Sequence, residues 1–329
     1  FIPVNERTPS AVMTLFLQRI IDGLQNGAIY STVAIPMVLI FKATTLINFA
    51  QGELAMIGAF FAFVFAVQAF SMNVILATIL AMILAASLGM AIERTMLRSF
   101  DPTDHLPVVL ITLGVFYIVN AFAGDIWNYQ AQGNVPNLLY ELPFIGSWFE
   151  GRSSFFTSET NRLGLRIQHD SVGLVGALLI MLTALHFILN RTKMGLAFRG
   201  VSSNTESSRL VGIRVGRILS FGWGLACAFG ALGAILVAPR ITLQPNMMLT
   251  VLVYALAAAA FGGLDSVGGA ALGGFVVGLL NSVVLGYVAD VDRLSSLTAA
   301  PLLMPVILLL VVLWFKPQGL FGTKTVERD

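Results

Sequence analysis

The chain reads as a succession of apolar windows separated by short polar breaks. A helix crossing a bilayer needs about 20 mainly apolar residues, because the hydrocarbon core is ~30 Å thick. Nine windows approach that measure: residues 23–41, 52–70, 74–93, 106–127, 172–190, 218–238, 247–262, 269–288 and 301–316. The seventh is short and reads as tilted or broken. Residues 11–22 form a further apolar segment that ends at Arg19 and Asp22 and is too short to cross alone. It predicts an interfacial or re-entrant helix, or else a tenth span. The pattern therefore predicts an all-α polytopic transmembrane bundle of eight to ten spans, as one membrane domain over residues 1–329.

Composition agrees. Apolar residues make up 57% of the chain and charged residues 11%, with a mean hydropathy of +0.85. A soluble domain carries about a quarter charged residues; this chain lacks that polar surface, so a lipid bilayer rather than water is its main solvent. A formal charge of +2 leaves no basic stripe able to neutralise phosphates, which removes nucleic acid as a partner. Cys227, the single cysteine, lies in an apolar run and reads as a small buried hydrophobe. The sequence starts at Phe1, and whether a segment precedes it stays open.

The placement of Lys and Arg sets an orientation, since positive loops are retained in the cytoplasm. One alternating set of loops holds Lys42, Arg94, Arg98, Arg191, Lys193, Arg199, Arg209, Arg214, Arg217, Lys316, Lys324 and Arg328, twelve of the 19 basic residues. That set is expected inside. With nine spans the C-terminus is cytoplasmic, the N-terminus is outside, and the long hydrophilic segment 128–171 is external. Trp127 and Trp314 fall at predicted span ends, where amphipathic rings are comfortable. Small residues recur every fourth position in Gly222, Ala226, Gly230 and Ala234, and again in Gly274, Gly278 and Ser282. Such stripes predict helix contact faces.

Several chemistries lack their signatures. No G-x-x-x-x-G-K-[ST] loop is present, so the chain has no P-loop ATP site of its own. His105, His169 and His186 are scattered, which disfavours a metal site, and no G-x-S-x-G motif supports a hydrolase. No cofactor is implied, and the chain does not read as an enzyme. The span centres lack charged residues, unlike ion-coupled carriers with their buried relays. Glu53 and Glu93 fall near predicted cytoplasmic ends and Asp125 near an external one. Neutral polar residues lie deeper, notably Asn26, Thr112, Asn120, Thr183 and Asn281. They either line a path for a polar solute or make interhelical hydrogen bonds. Asn48 and Glu53 likewise have two readings, a gate or path element or the cap and first turn of a helix.

Residues 191–217 are too polar to cross and longer than a tight turn requires. Ser202, Ser203 and Asn204 are capping residues with Glu206 close behind, which predicts a short helix from about Thr205 to Val211, stopped by Gly212. A partner could push on such a helix. The order of residues here, Met194, Gly195, Arg199, Asn204, Leu210, Val211, Gly212 and Ile213, resembles the cytoplasmic loop of permeases of the branched-chain amino acid ABC importer family. Two further segments resemble the same family. They are LINFAQGELAMIGAF at residues 46–60, carrying Asn48, Phe49, Ala50, Gln51, Gly52 and Glu53, and FGGLDSVGGAALGGF at residues 261–275, carrying Gly262, Gly263, Ser266, Gly269 and Ala270. Gln51 stands where the family often has His.

The resemblance implies a permease subunit in a bacterial inner membrane, working with two cytoplasmic ATPase subunits, a second homologous permease and an external solute-binding protein. It implies that Met194, Gly195, Arg199, Asn204, Glu206, Leu210, Gly212 and Ile213 couple the chain to the ATPase. Candidates for the translocation path are Asn26, Asn48, Gln51, Glu53, Asn120 and Asn281. Branched-chain amino acids are the expected cargo, with urea, amides or other amino acids as alternatives in the same machine. A partner-independent channel or carrier for a small neutral solute is the alternative from another class. The external segment 128–171, with its polar stretch 152–162, either shapes contact with the binding protein or is a tolerated insertion.

Overall fold

Helix follows helix because each apolar window must satisfy its backbone internally in lipid, even where, as at Pro36, a proline lies within it. The structure, a computed structural model, describes residues 9–100, 105–144, 146–149, 165, 167–288, 302–316 and 318–322. The expectations for residues 152–162, Lys324 and Arg328 lie outside the described residues.

The apolar helices are α1 (Pro9–Thr44), α2 (Gln51–Phe63), α3 (Val74–Ile92), α4 (His105–Trp127), α6 (His169–Arg191), α9 (Val215–Ile241), α10 (Met247–Gly262), α11 (Val267–Val288) and α12 (Leu303–Phe315). Shorter pieces are α5 (Gly146–Phe149), α7 (Lys193–Ser203) and α8 (Thr205–Leu210). Single π-helical turns at Val64–Gln68 and Glu93–Leu97 extend α2 and α3. Among the described residues, seven helices are long and apolar enough to cross a membrane, while α10 and α12 are shorter. All nine predicted windows are helical, and the chain is a multi-pass membrane bundle.

One expectation is corrected. Residues 11–22 are neither a separate interfacial piece nor a tenth span, because they run unbroken into α1. At ~1.5 Å per residue that 36-residue helix is ~54 Å long and outreaches the hydrocarbon core. The two charges that suggested a break have partners. Gln18 Nε2 donates to Asp22 Oδ1 at 2.8 Å, and Arg19 Nη2 donates to the Gly286 carbonyl of α11 at 3.1 Å.

The core is α1, clasped by α11 and α9. The stripe of small residues on α11 lets two backbones meet: a Cβ on Gly278 would lie 2.3 Å from the Gly27 nitrogen, and one on Gly274 would lie 2.9 Å from the Gly27 carbonyl. Ser31 Oγ bridges the same seam, donating to the Ala271 carbonyl at 2.9 Å. On α9 the predicted stripe also faces neighbours, with Gly222 under Phe198 and Gly230 under the Gln51 amide. By contrast α4 carries exposed Leu106, Leu110, Tyr117, Ile118 and Phe122 and is the least buried crossing helix. Trp127 at its end is buried and stacks on Phe60 with centroids 4.0 Å apart, whereas Trp314 is 85% exposed.

Charge distinguishes the two ends of the bundle. A cavity of about 640 Å³ at one end is lined by Lys42, His186, Arg199, Asp265 and Phe321, which gathers the ends of α1 and α6, the 191–217 segment, the α10–α11 turn and the C-terminal strand of chain. A second cavity of about 400 Å³ adds Glu93, Arg98 and Arg209 to this basic end. The opposite end holds residues 128–144 and the junction where Arg240 Nη2 donates to Ser171 Oγ at 3.0 Å.

Candidate translocation site and coupling hairpin

After α1 ends at the basic end, residues 45–50 turn back into the bundle, and α2 starts inside it rather than at its edge. Gln51 Nε2 donates to the carbonyl of Ala226, 3.4 Å away, and Ala226 stands ~16 Å along α9 from Val215. Glu53 Oε2 accepts from Asn120 Nδ2 at 3.2 Å, and Asn120 stands ~22 Å along α4 from its basic end. Glu53, expected near a cytoplasmic end, is therefore deep, and its residue exposure is 0%. The capping reading of Asn48 is corrected as well. The N-cap of α2 is Ala50, with no side-chain cap, and Asn48 Oδ1 instead accepts from the Ala50 N–H two residues on, at 3.0 Å.

A second helix starts beside it. Asn246, in a left-handed conformation (φ 82°), is the N-cap of α10, and its side chain caps nothing in its own helix. Asn120 Nδ2 donates to Asn246 Oδ1 at 2.6 Å, and Tyr129 Oη donates to Asn120 Oδ1 at 3.2 Å. The result is a polar line from exposed Tyr129 and Asn246, through half-buried Asn120, to buried Glu53. Two helix N-termini meeting within a bundle create local positive potential without a cation. Glu53, in the first turn of α2, offsets part of it.

Of the six path candidates, the structure brings together Asn48, Gln51, Glu53 and Asn120. Asn48 Nδ2 lies 3.4 Å from Gln51 Oε1. Asn26 and Asn281 lie elsewhere and hold helices together. Asn26 Nδ2 donates to Ser282 Oγ at 3.2 Å, Tyr254 Oη donates to Asn281 Oδ1 at 2.7 Å, and Asn281 Nδ2 donates to Tyr30 Oη at 3.4 Å. Thr112 and Thr183 bond back to their own helices. Asn246 and Tyr129 were not legible as partners of Asn120, because only the tertiary fold joins them; the local signal was an Asn after Pro245 at a helix start.

At the basic end, residues 193–213 form a helical hairpin. Thr192 caps α7, its Oγ accepting from the Gly195 N–H at 3.0 Å, and Asn204 caps α8, its Oδ1 accepting from the Ser207 N–H at 2.8 Å. The predicted short helix is present and ends before Gly212, whose φ of +83° reverses the chain. That α7 is also helical went unforeseen, because Gly195 and Gly200 break its pattern. All eight coupling candidates lie on this hairpin. Its inner face is anchored: Phe198 and Val201 are buried, and Phe198 lies over Gly222 of α9. Its tip is not, since Leu210 is 88% and Val211 76% exposed.

Beside the hairpin, Arg98 ties α3 to α9. Its Nη2 contacts Glu93 Oε2 at 2.9 Å, the Gly216 carbonyl at 2.8 Å and Ser220 Oγ at 2.7 Å, while Ser220 also donates to Glu93. The hairpin thus meets α9 at Phe198, and α3 meets it at Arg98.

The chain is similar over 95% of its length to the high-affinity branched-chain amino acid transport system permease protein BraD of Pseudomonas aeruginosa, at 24% identity and covering 98% of that protein. It is 25% identical to LivH of Salmonella typhimurium, a permease protein of the same transport system, over 95% of this chain and 97% of that one. Among solved structures, PsaBC from Streptococcus pneumoniae in complex with Fab aligns over 94% of this chain and 92% of that chain at 11% identity, with a TM-score of 0.41. The pattern of the family described as branched-chain amino acid transport system / permease component matches residues 19–313, nearly the whole chain, and the protein belongs to that family of membrane permeases.

Proposed function

We propose that this permease forms one half of the membrane path of an ATP-driven importer for branched-chain amino acids. Its basic end faces the cytoplasm, with the C-terminus inside and the N-terminus outside, in keeping with the positive-inside bias. A second homologous permease completes the path, two ATPase subunits dock on the basic ends, and a solute-binding protein delivers cargo to the opposite end. The cargo follows the names of the relatives, and the absence of a P-loop assigns ATP hydrolysis to partners.

The observation that carries this reading is the α7–α8 hairpin: two large aliphatic side chains, Leu210 and Val211, bared on a tip whose base is locked onto α9. A soluble-facing tip gains nothing by exposing them unless a partner covers them. ATP-driven closure of the ATPase subunits would push the tip, α9 would follow through Phe198, and the polar line at Asn120 would open to one side at a time.

The test is an importer reconstituted with its ATPase, second permease and binding protein. Replacing Gly212 or Arg199 is expected to uncouple ATP hydrolysis from uptake while the protein still reaches the membrane. Unchanged coupling in both variants would refute the hairpin's role.

A further inference from the structure

Glu53 is unlike the paired polar groups of the α1–α11 seam. Its residue is wholly buried, yet Oε1 has no hydrogen-bond partner, while Oε2 has only Asn120. No cation pairs with it among the described residues, whereas Glu93 is paired with Arg98. A buried, half-satisfied carboxylate is costly, and a glutamine would keep the bond to Asn120 without that cost. The first turn of α2 supplies some compensation, but a helix N-terminus carries only about half a unit of positive charge, so the carboxylate remains the larger local charge.

We infer that Glu53 is the group in the translocation path that receives the ammonium end of the cargo. An ammonium is donor-only, with three N–H groups and no acceptor. It matches a site whose free atom is a carboxylate oxygen, with the Asn246 amide oxygen, now taken by Asn120 Nδ2, as a second acceptor once that contact breaks. The bond from Tyr129 to Asn120 and the one from Asn120 to Asn246 lie on the exposed side of Glu53. Asn120 is then the door: breaking its contact with Asn246 frees a route to Oε1. The recognised chemistry is a primary ammonium, which separates α-amino acids from urea and amides.

This inference rests on the reading of the chain as an amino-acid importer, and the experiment separates the two. In proteoliposomes holding the complete importer, wild type takes up labelled leucine with ATP, and E53Q lowers that uptake at least about tenfold, the scale of one lost charge-assisted hydrogen bond. E53D restores part of it. In nanodiscs holding the permease–ATPase complex without the binding protein, isoamylamine, which keeps the ammonium, displaces labelled leucine. Isovalerate, which keeps only the carboxylate, does not, and the preference disappears in E53Q. Leucine uptake unchanged in E53Q, or equal displacement by both competitors in wild type, overturns the role of Glu53 and leaves the importer standing. Wild type that takes up no leucine with ATP overturns the importer reading itself.

Discussion

The seam between α1 and α11 and the inward start of α2 both place polar groups deep in an apolar bundle, and they treat them in opposite ways. Along the seam, Gly23 and Gly27 meet Gly274 and Gly278 backbone to backbone. Asn26, Ser31 and Asn281 each reach a partner across helices. Tyr30 and Tyr254 stack nearby with centroids 4.3 Å apart. At the starts of α2 and α10, neither Ala50 nor Asn246 caps its helix with a side chain, and Glu53 keeps an oxygen free. Paired polar groups hold the seam together, whereas the unpaired oxygen of Glu53 leaves a buried acceptor open.

The comparison breaks most severely at the seam. Gly278→Leu drives a side chain into the α1 backbone, and overpacking of that kind costs about 3 kcal/mol or more. Thermal unfolding in detergent should show loss of the folded protein, whatever cargo or nucleotide is added. Next comes the hairpin tip: the double change Leu210→Ala and Val211→Ala leaves the bundle intact, and losing one buried aliphatic contact, ~1.5–3 kcal/mol, weakens ATPase association about tenfold or more. Titration of the purified ATPase onto nanodisc-held permease reads that directly.

The two polar regions then differ in sign. Glu53→Gln removes a half-paired buried carboxylate and should raise thermal stability by on the order of 1 kcal/mol while uptake falls. A variant that loses stability and uptake together would mean that Glu53 belongs to the scaffold. Asn281→Ala, which breaks a paired link, should lower stability by only ~0.6 kcal/mol, the usual worth of an interhelical hydrogen bond in membrane proteins, and leave leucine uptake within about twofold.

Hydrophobic length carries most of the fold. Each window from residues 23–41 to 301–316 became a helix because lipid forces backbone bonds to close locally. What the pattern could not convey was pairing. Arg19 and Asp22 read as the end of a segment, although Gly286 and Gln18 absorb them within a continuous α1. Asn48 read as a helix cap, although it bonds one residue short of the helix, at Ala50.

The site was half legible. The coupling candidates from Met194 to Ile213 share one short segment, and local capping rules placed α8 within a residue of its observed end. Asn48, Gln51 and Glu53 are also near one another in sequence. Asn120 was singled out without its partner, because its bonds to residues 53, 129 and 246 exist only once four separate segments have packed. Asn26 and Asn281 shared its polarity and depth, and only their partners assign them to the scaffold.

The most direct test of the central claim is uptake of labelled leucine into proteoliposomes that contain this permease, its homologous partner, the ATPase subunits and, outside, the solute-binding protein. The account predicts uptake that requires both ATP in the lumen and the binding protein outside, and that stops when either is withheld. Uptake by this chain alone, without ATP or following an imposed ion gradient, would contradict it.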